Sequence, residues 1–214
     1  MSATDNISNT LIIKREDRDP LLQRKSVLSV KKGHKIYTQK QIPNGFYQVN
    51  RGLIGLLIND INGKERMIRL YDDGGYFGCR SFISSERYHS SSIALTDATI
   101  IHYQIHSPKE LMLISPDSFY QITLALSKEL GEAEHRLSKM AKKVKIRVID
   151  TLLHLLNRYP NYRWTRREIA EFCGCEPETA IRICRSLEKS GLISSAGRQI
   201  KITDEKALQA LRDI

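Results

Sequence analysis

An α+β chain is predicted, with an N-terminal double-stranded β-helix (a β-roll), one long helix, and a C-terminal winged helix-turn-helix. Three observations carry this expectation. Short apolar runs separated by turn residues fill positions 26–105. A stripe of apolar residues alternating by three and four follows from Phe119. Beyond Trp164, a capping box and a glycine turn join two short amphipathic segments.

The β segment contains Ser26–Val30, Lys35–Thr38, Gly45–Val49, Gly52–Ile58, Arg66–Tyr71 and Ser92–Leu95, and it closes with Ala98–Tyr103. Lys32-Gly33, Pro43-Asn44-Gly45, Asn62-Gly63 and Asp72-Asp73-Gly74-Gly75 separate these runs. Such residues tolerate the positive φ that tight hairpins need. Many short, regularly spaced strands favour a closed antiparallel roll over a parallel sheet.

A long helix is expected from Ser115-Pro116, with Ser115 as cap and Pro in the first turn. Phe119, Leu126, Leu130, Leu137 and Met140 lie on its stripe. A sustained repeat of 3.5 keeps such a stripe facing a partner helix, so a two-fold dimer seam is expected. The expected layout is an N-terminal arm over 1–25, a β-roll sensor domain over 26–114, a dimerisation helix over 115–144 and a winged helix-turn-helix over 145–214.

Composition narrows the function classes. The 214 residues are 41% hydrophobic and 27% charged, as in an ordinary globular protein, and the formal net charge is +10. Residues 141–214 hold 15 Lys and Arg against 9 Asp and Glu, so positive charge is densest where a polyanion is expected to bind. No apolar run is long enough to cross a membrane, and Met1–Asn9 lacks the layout of a secretory signal. A cytoplasmic protein without a membrane partner is expected. The four cysteines, Cys79, Cys173, Cys175 and Cys184, show neither disulfide-framework nor zinc-ligand spacing, and read as small buried thiols. No nucleophile–base pair, metal-ligand spacing or phosphate-binding glycine loop is found, so no catalytic residue, no metal and no enzyme are expected.

The chemistry lies near the C-terminus. Thr165 and Glu168 have capping-box spacing, and Gly174 stands where the first helix must end in a left-handed turn. The second helix opens at Glu176-Pro177 and buries Ala180, Ile183, Cys184 and Leu187. Its other face presents Glu178, Thr179, Arg182 and Arg185. Recognition helices dock that N-terminal half in the major groove of double-stranded DNA. Arg182 can donate twice to guanine, and Glu178 can accept from cytosine N4. Glu178 and Arg182, four apart, can also pair with each other. Gly191-Leu192-Ile193 and Ala196-Gly197-Arg198-Gln199-Ile200-Lys201-Ile202 read as a two-stranded wing. Arg198 and Lys201 lie there for phosphate contact.

With these motifs in place, the chain resembles the cyclic-AMP-receptor and fumarate–nitrate-regulator (Crp/Fnr) family over nearly its whole length. The most specific likeness is Thr165-Arg166, Gly174-Cys175, Glu178-Thr179-x-x-Arg182 and Gly191-Leu192-Ile193. The resemblance implies a cyclic-nucleotide-binding-like sensor and a homodimer that binds a palindromic operator and works with RNA polymerase. It implies base reading by Glu178 and Arg182, joined here by Arg185. Phosphate contacts are implied at Thr165, Arg166 and Thr179, and expected also at Arg167, Arg198 and Lys201. Ile181 stands where the regulators with this Pro177-Glu178-Thr179 variant usually carry Ser, so the thymine contact of that Ser is not expected.

The effector cassette of the family resembles Gly78, Cys79, Arg80, Arg87, His89 and Ser90. A cyclic-AMP binder has Glu at the position of Cys79, Arg at that of His89, and Thr and Ser at those of Glu132 and Ala133. All four are missing, so cyclic AMP is not expected, while Arg80 and Arg87 remain available to another anion. An iron–sulfur cluster is not expected either, because the first cysteine is Cys79. The rival reading is a cyclic-nucleotide-type regulatory subunit whose C-terminal domain binds a protein partner; the Arg-rich face of the second helix weighs against it.

Overall fold

The computed structural model describes residues 20–59, 63–196 and 199–212. A short 3-10 turn, Pro20–Arg24, leads into strand β1, Lys25–Val30. Strands β2 (Lys35–Tyr37), β3 (Phe46–Arg51), β4 (Ile54–Asn59), β5 (Glu65–Tyr71), β6 (Tyr76–Phe77), β7 (Ser91–Ala94) and β8 (Ala98–Tyr103) complete the roll. They form two antiparallel four-stranded sheets, ordered β1-β8-β3-β6 and β2-β7-β4-β5. One cluster of buried side chains from both sheets joins them, including Tyr37, Tyr47, Val49, Ile54, Leu56, Phe77 and Ile100. The expected fold class is the one found.

Beside the roll, two short helices were not foreseen. Helix α1, Cys79–Ser84, starts from Gly78 in the left-handed region (φ 77°). Helix α2, Pro108–Ile114, is capped by Ser107, whose side chain accepts from the Glu110 N–H, and has Pro in its first turn. The same Ser-Pro signal marks the next helix, where Pro116 again stands in the first turn but the Ser115 side chain makes no cap bond and donates to Ser118 Oγ instead.

Helix α3 spans Pro116–Lys139, ending short of 144, with Arg136 and Lys139 in its last turn where cations complement the helix dipole. Val144 begins helix α4, Val144–Arg158, instead of ending the stalk. Gly131 sits within α3 without breaking it. Phe119, Ile122 and Leu126 pack with α1 and α2 residues in a second cluster beside the roll. Leu130 and Leu137, 61% and 74% exposed, leave the same stripe bare farther along. The five expected seam residues therefore divide: Phe119 and Leu126 pack partly against the cluster beside the roll, while Leu130, Leu137 and Met140 are exposed.

The C-terminal part comprises α4, α5 (Arg166–Cys173), α6 (Pro177–Lys189), strands β9 (Ile193–Ala196) and β10 (Gln199–Ile202), and α7 (Glu205–Ala210). It does not stand apart from the roll. Leu53, Leu57, Met67 and Leu95 share one continuous core with Val148, Leu152, Trp164, Ile169 and Leu187. Burying each such side chain is worth about 1.5–3 kcal/mol, so the contact is part of the fold rather than a loose linkage. Lys64–Glu176 at 2.8 Å and Arg158–Asp72 at 2.7 Å add ion pairs across the same junction.

Candidate nucleic-acid interface

Thr165 caps α5 through a complete capping box. Its Oγ1 accepts from the Glu168 N–H at 3.2 Å, and the Glu168 carboxylate accepts from the Thr165 N–H at 2.8 Å. Helix α5 ends at Gly174 with φ 70°, and a Cβ there would come within 3.2 Å of Met140. The turn is short because Glu176 already caps α6, whose Pro177 occupies the first turn. Ala180, Cys184 and Leu187 are buried, which orients the opposite face of α6 outward.

That outward face carries Glu178, Arg182 and Arg185, all exposed. Among the described residues, none of the three takes part in an ion pair or a side-chain hydrogen bond. The intrahelical Glu178–Arg182 pair allowed by the spacing is therefore not formed, and both groups are left to a ligand. Thr179 is half-buried at the edge of a shallow groove that also contains Lys145, Arg182 and Ser186. Lys145 was not foreseen as part of this face. The basic run Lys142-Lys143-Lys145 was the signal for it.

The flanking cations behave differently from one another. Arg167 is exposed and pairs with Glu171 at 3.0 Å, a contact of little energy at the surface. Arg166 is half-buried and already occupied: its guanidinium donates to Ser195 Oγ at 2.9 Å and to Glu188 at 3.3 Å, tying α5 to α6 and β9. Lys201 is exposed on β10, and Arg198 lies outside the described residues.

Arg147, on α4, was missed by sequence reasoning because its partners are remote. It donates to the Met140 carbonyl at 3.0 Å and to the Gly174 carbonyl at 3.2 Å, so one side chain joins the end of α3 to the helix-turn-helix turn. Each charge-assisted bond is worth about 1.5–3 kcal/mol. Arg147→Ala is expected to lower stability by about 2–4 kcal/mol, read as a depressed denaturant midpoint at unchanged slope.

In the sensor half, Cys79 and Ser90 are buried, Gly78 is half-buried, and Arg80, Arg87 and His89 are exposed. Arg87 donates to the Lys40 carbonyl at 3.0 Å. Behind this cassette the roll is packed with its own aromatic rings. Tyr37 and Tyr88 stack at 3.7 Å, Tyr47 and Phe77 at 5.1 Å, and Tyr47 and His102 at 4.4 Å. A Cβ at Gly78 would meet Tyr47, Tyr88 and Tyr37 at 3.4–3.5 Å, which places these rings directly against the cassette. Burial pushes the Cys79 thiol far up, and it pushes up the Tyr37 and Tyr88 hydroxyls too. A thiol held protonated in this way is a poor nucleophile.

On the α3 side, Arg69 of β5 donates to the Glu129 backbone carbonyl at 3.0 Å and pairs with its carboxylate at 3.1 Å. Glu132 lies 3.8 Å from the same guanidinium. Burial raises the Glu129 carboxyl, against the opposing pull of Arg69 and Tyr71. At the two positions where the resemblance implies small hydroxyls this helix has Glu132 and Ala133, and Glu132 joins Glu129 beside Arg69.

Comparison with known proteins agrees with this architecture. A cyclic nucleotide-binding domain model matches residues 27–114, and a Crp-like helix-turn-helix domain model matches residues 146–211. The chain is 27% identical over 166 residues to the cAMP-activated global transcriptional regulator CRP of Pasteurella multocida, covering 73% of this chain and 79% of that protein. A solved CRP/FNR-family transcriptional regulator from Thermus thermophilus superposes with a TM-score of 0.73 at 25% identity, covering 88% of this chain and 99% of that one. The c-di-GMP responsive global regulator CLP of Xanthomonas campestris gives a TM-score of 0.75 at 22% identity, covering 85% and 95%. No described helix is long and apolar enough to cross a membrane.

Proposed function

The chain belongs to the Crp/Fnr family of helix-turn-helix transcription regulators, and on that premise we propose that it binds a two-fold symmetric DNA operator as a homodimer without requiring cyclic AMP. The observation that carries the DNA half is the face of α6, where Glu178, Arg182 and Arg185 are exposed and unpaired among the described residues. Arg182 donates to guanine O6 and N7, Glu178 accepts from cytosine N4, and Arg185 reads a neighbouring base edge. Thr165, Arg167, Thr179, Lys145 and Lys201 meet the phosphates, which position the helix without reading sequence. Arg166 braces the motif from behind and reaches phosphate only by giving up Glu188 or Ser195.

Dimer formation is supported by the exposed stripe on α3. At about 100° per residue, Phe119, Leu126, Leu130 and Leu137 share one side of the helix, a stripe that drifts by only about 20° per heptad. Two such stripes packed together bring two copies of α6 to successive major grooves about 34 Å apart. RNA polymerase is the natural protein partner of such a complex.

Independence from cyclic AMP is supported by the filled roll. Cys79 cannot accept from a ribose hydroxyl as a carboxylate does, His89 faces solvent, and aromatic rings occupy the space behind them. A nucleotide entering this space has to displace stacked, buried tyrosines, each of which buries roughly 150–250 Å².

The test is a fluorescence-anisotropy titration with duplex DNA of random sequence at two salt concentrations, with and without cyclic AMP. Binding that weakens steeply with salt and ignores the nucleotide is expected. No binding in dilute buffer contradicts the DNA reading. A tightening by cyclic AMP contradicts the independence alone.

A further inference from the structure

Two of the four thiols lie unusually close together at the most sensitive point of the motif. Cys173 closes α5, Gly174 turns the chain in the left-handed region, and Cys175 leads into Glu176, the cap of α6. The Cys173 thiol donates to Cys175 Sγ across only 3.1 Å. A disulfide bond is about 2.04 Å long, so closure by roughly 1 Å joins them. The glycine between them supplies the backbone freedom that such a small ring needs.

We propose that Cys173 and Cys175 form a redox-sensitive dithiol, which a hydroperoxide oxidises to an intramolecular disulfide, pulling the turn tight and weakening the grip of α6 on DNA. The effect on DNA rests on the function proposed above; the disulfide itself does not.

The two sulfurs have different roles because they differ in exposure. Cys175 is half-buried and is the one a peroxide reaches. Cys173 is buried, so a peroxide does not reach it first; burial together with its hydrogen bond to Cys175 pushes its thiol up to about 12 against the pull of Arg147, so its part in the second step rests on lying 3.1 Å from Cys175 and not on ready ionisation. In the first step the Cys175 thiolate attacks the peroxide, the O–O bond breaks, and an alkoxide leaves and takes a proton to become an alcohol. Cys175 becomes a sulfenic acid. The Cys173 sulfur then attacks the Cys175 sulfur, the S–O bond breaks, and the departing hydroxide takes the Cys173 proton to leave as water. Two thiols lose two electrons and two protons, and the hydroperoxide is reduced to an alcohol and water.

The turn is wired so that this closure is felt on both sides. The Cys175 N–H donates to the Ala170 carbonyl at 3.0 Å, and the Gly174 carbonyl is held by Arg147, which also holds the end of α3. Glu176, the next residue, is paired with Lys64 of the roll at 2.8 Å. Moving Cys175 therefore shifts the start of α6 relative to fixed neighbours.

The test treats the reduced full-length protein with cumene hydroperoxide, blocks free thiols with N-ethylmaleimide, and weighs the tryptic peptide 168–182, which contains Cys173 and Cys175 and no other cysteine. The expected product is that peptide two hydrogens lighter and unalkylated, restored by dithiothreitol and absent from Cys175→Ser. In Cys173→Ala, Cys175 is expected to proceed to sulfinic acid. The proposal is overturned by a wild-type peptide with alkylated Cys173 beside an overoxidised Cys175, or by a cross-link from Cys175 to Cys184 or to a second chain. In parallel, anisotropy with a duplex selected by the reduced protein from a random pool is expected to weaken about tenfold on oxidation, the share of one misplaced base-reading contact or less, and Cys175→Ser is expected not to respond. Equal affinity in the two redox states overturns the switch. If the reduced protein ignores DNA, the function proposed above fails while the peptide mass still decides the disulfide.

Discussion

Replacing Leu130 and Leu137 together by Glu is expected to give a monomer that keeps its fold and loses nearly all operator affinity. Both side chains are mostly exposed within one subunit, so their change costs that subunit about 0.5 kcal/mol or less. Between two subunits, however, four carboxylates would have to be buried without partners, and an isolated charge is not buried at that cost. Once the stalks part, each α6 must bind its half-site alone. The loss equals the gain from linking two sites, about 10²–10⁴-fold in affinity. Sedimentation velocity reads the first effect and anisotropy on an operator duplex the second. A double variant that still sediments as a dimer means that another surface holds the subunits together.

The second large effect is expected at Arg182. Arg182→Ala removes two donors aimed at one guanine, at a cost of about 1–3 kcal/mol per half-site. Because the dimer carries two copies, the total is about 2–6 kcal/mol if the sites act independently. The loss is expected only on operators carrying the preferred G·C pair; substituted operators should bind wild type and variant alike. Arg182→Lys is expected to restore little, since a lysine lacks the planar fork. Arg167→Ala serves as the contrast: an exposed phosphate cation, its loss should weaken every duplex evenly and flatten the salt dependence by about one counterion. Competition binding against a panel of singly substituted duplexes separates the two patterns. Equal loss across the panel for Arg182→Ala contradicts its role in reading a base.

The helix-turn-helix was legible because its signals are local. Thr165 and Glu168 are three apart, Gly174 marks the turn by its backbone alone, and the buried stripe of α6 recurs within one helix. Seven of the eight strands of the roll were legible for the same reason, with ends displaced by one or two residues, at β3 and β4 beside Gly45 and Gly52, while the two-residue β6 is too short to leave a run. What escaped was long-range. The partners of Arg147 lie seven residues before it and twenty-seven after it, and no periodicity connects them. Arg166 has the look of a free cation in the sequence, and only the fold brings Glu188 and Ser195 to it. The docking of Leu53, Leu57, Met67 and Leu95 against the C-terminal helices was equally hidden, because an apolar residue in a strand does not announce which element it covers. The mismatch of the cassette could be read from Cys79 and His89, but the ring stack behind it gathers Tyr37, Tyr47, Phe77 and Tyr88 from distant strands and loops. The end of α3 was set at 144 instead of Lys139 because Met140 and Val144 continue the apolar spacing across the turn that leads into α4.

The most direct measurement is selection of duplexes from a fully random pool by the purified, reduced protein with no nucleotide present. Two copies of α6 held by one stalk predict an inverted repeat, with half-sites centred about one helical turn apart and an essential G·C pair in each. Recovery of no preferred sequence, or of a single asymmetric half-site, would contradict a homodimer that reads DNA without cyclic AMP.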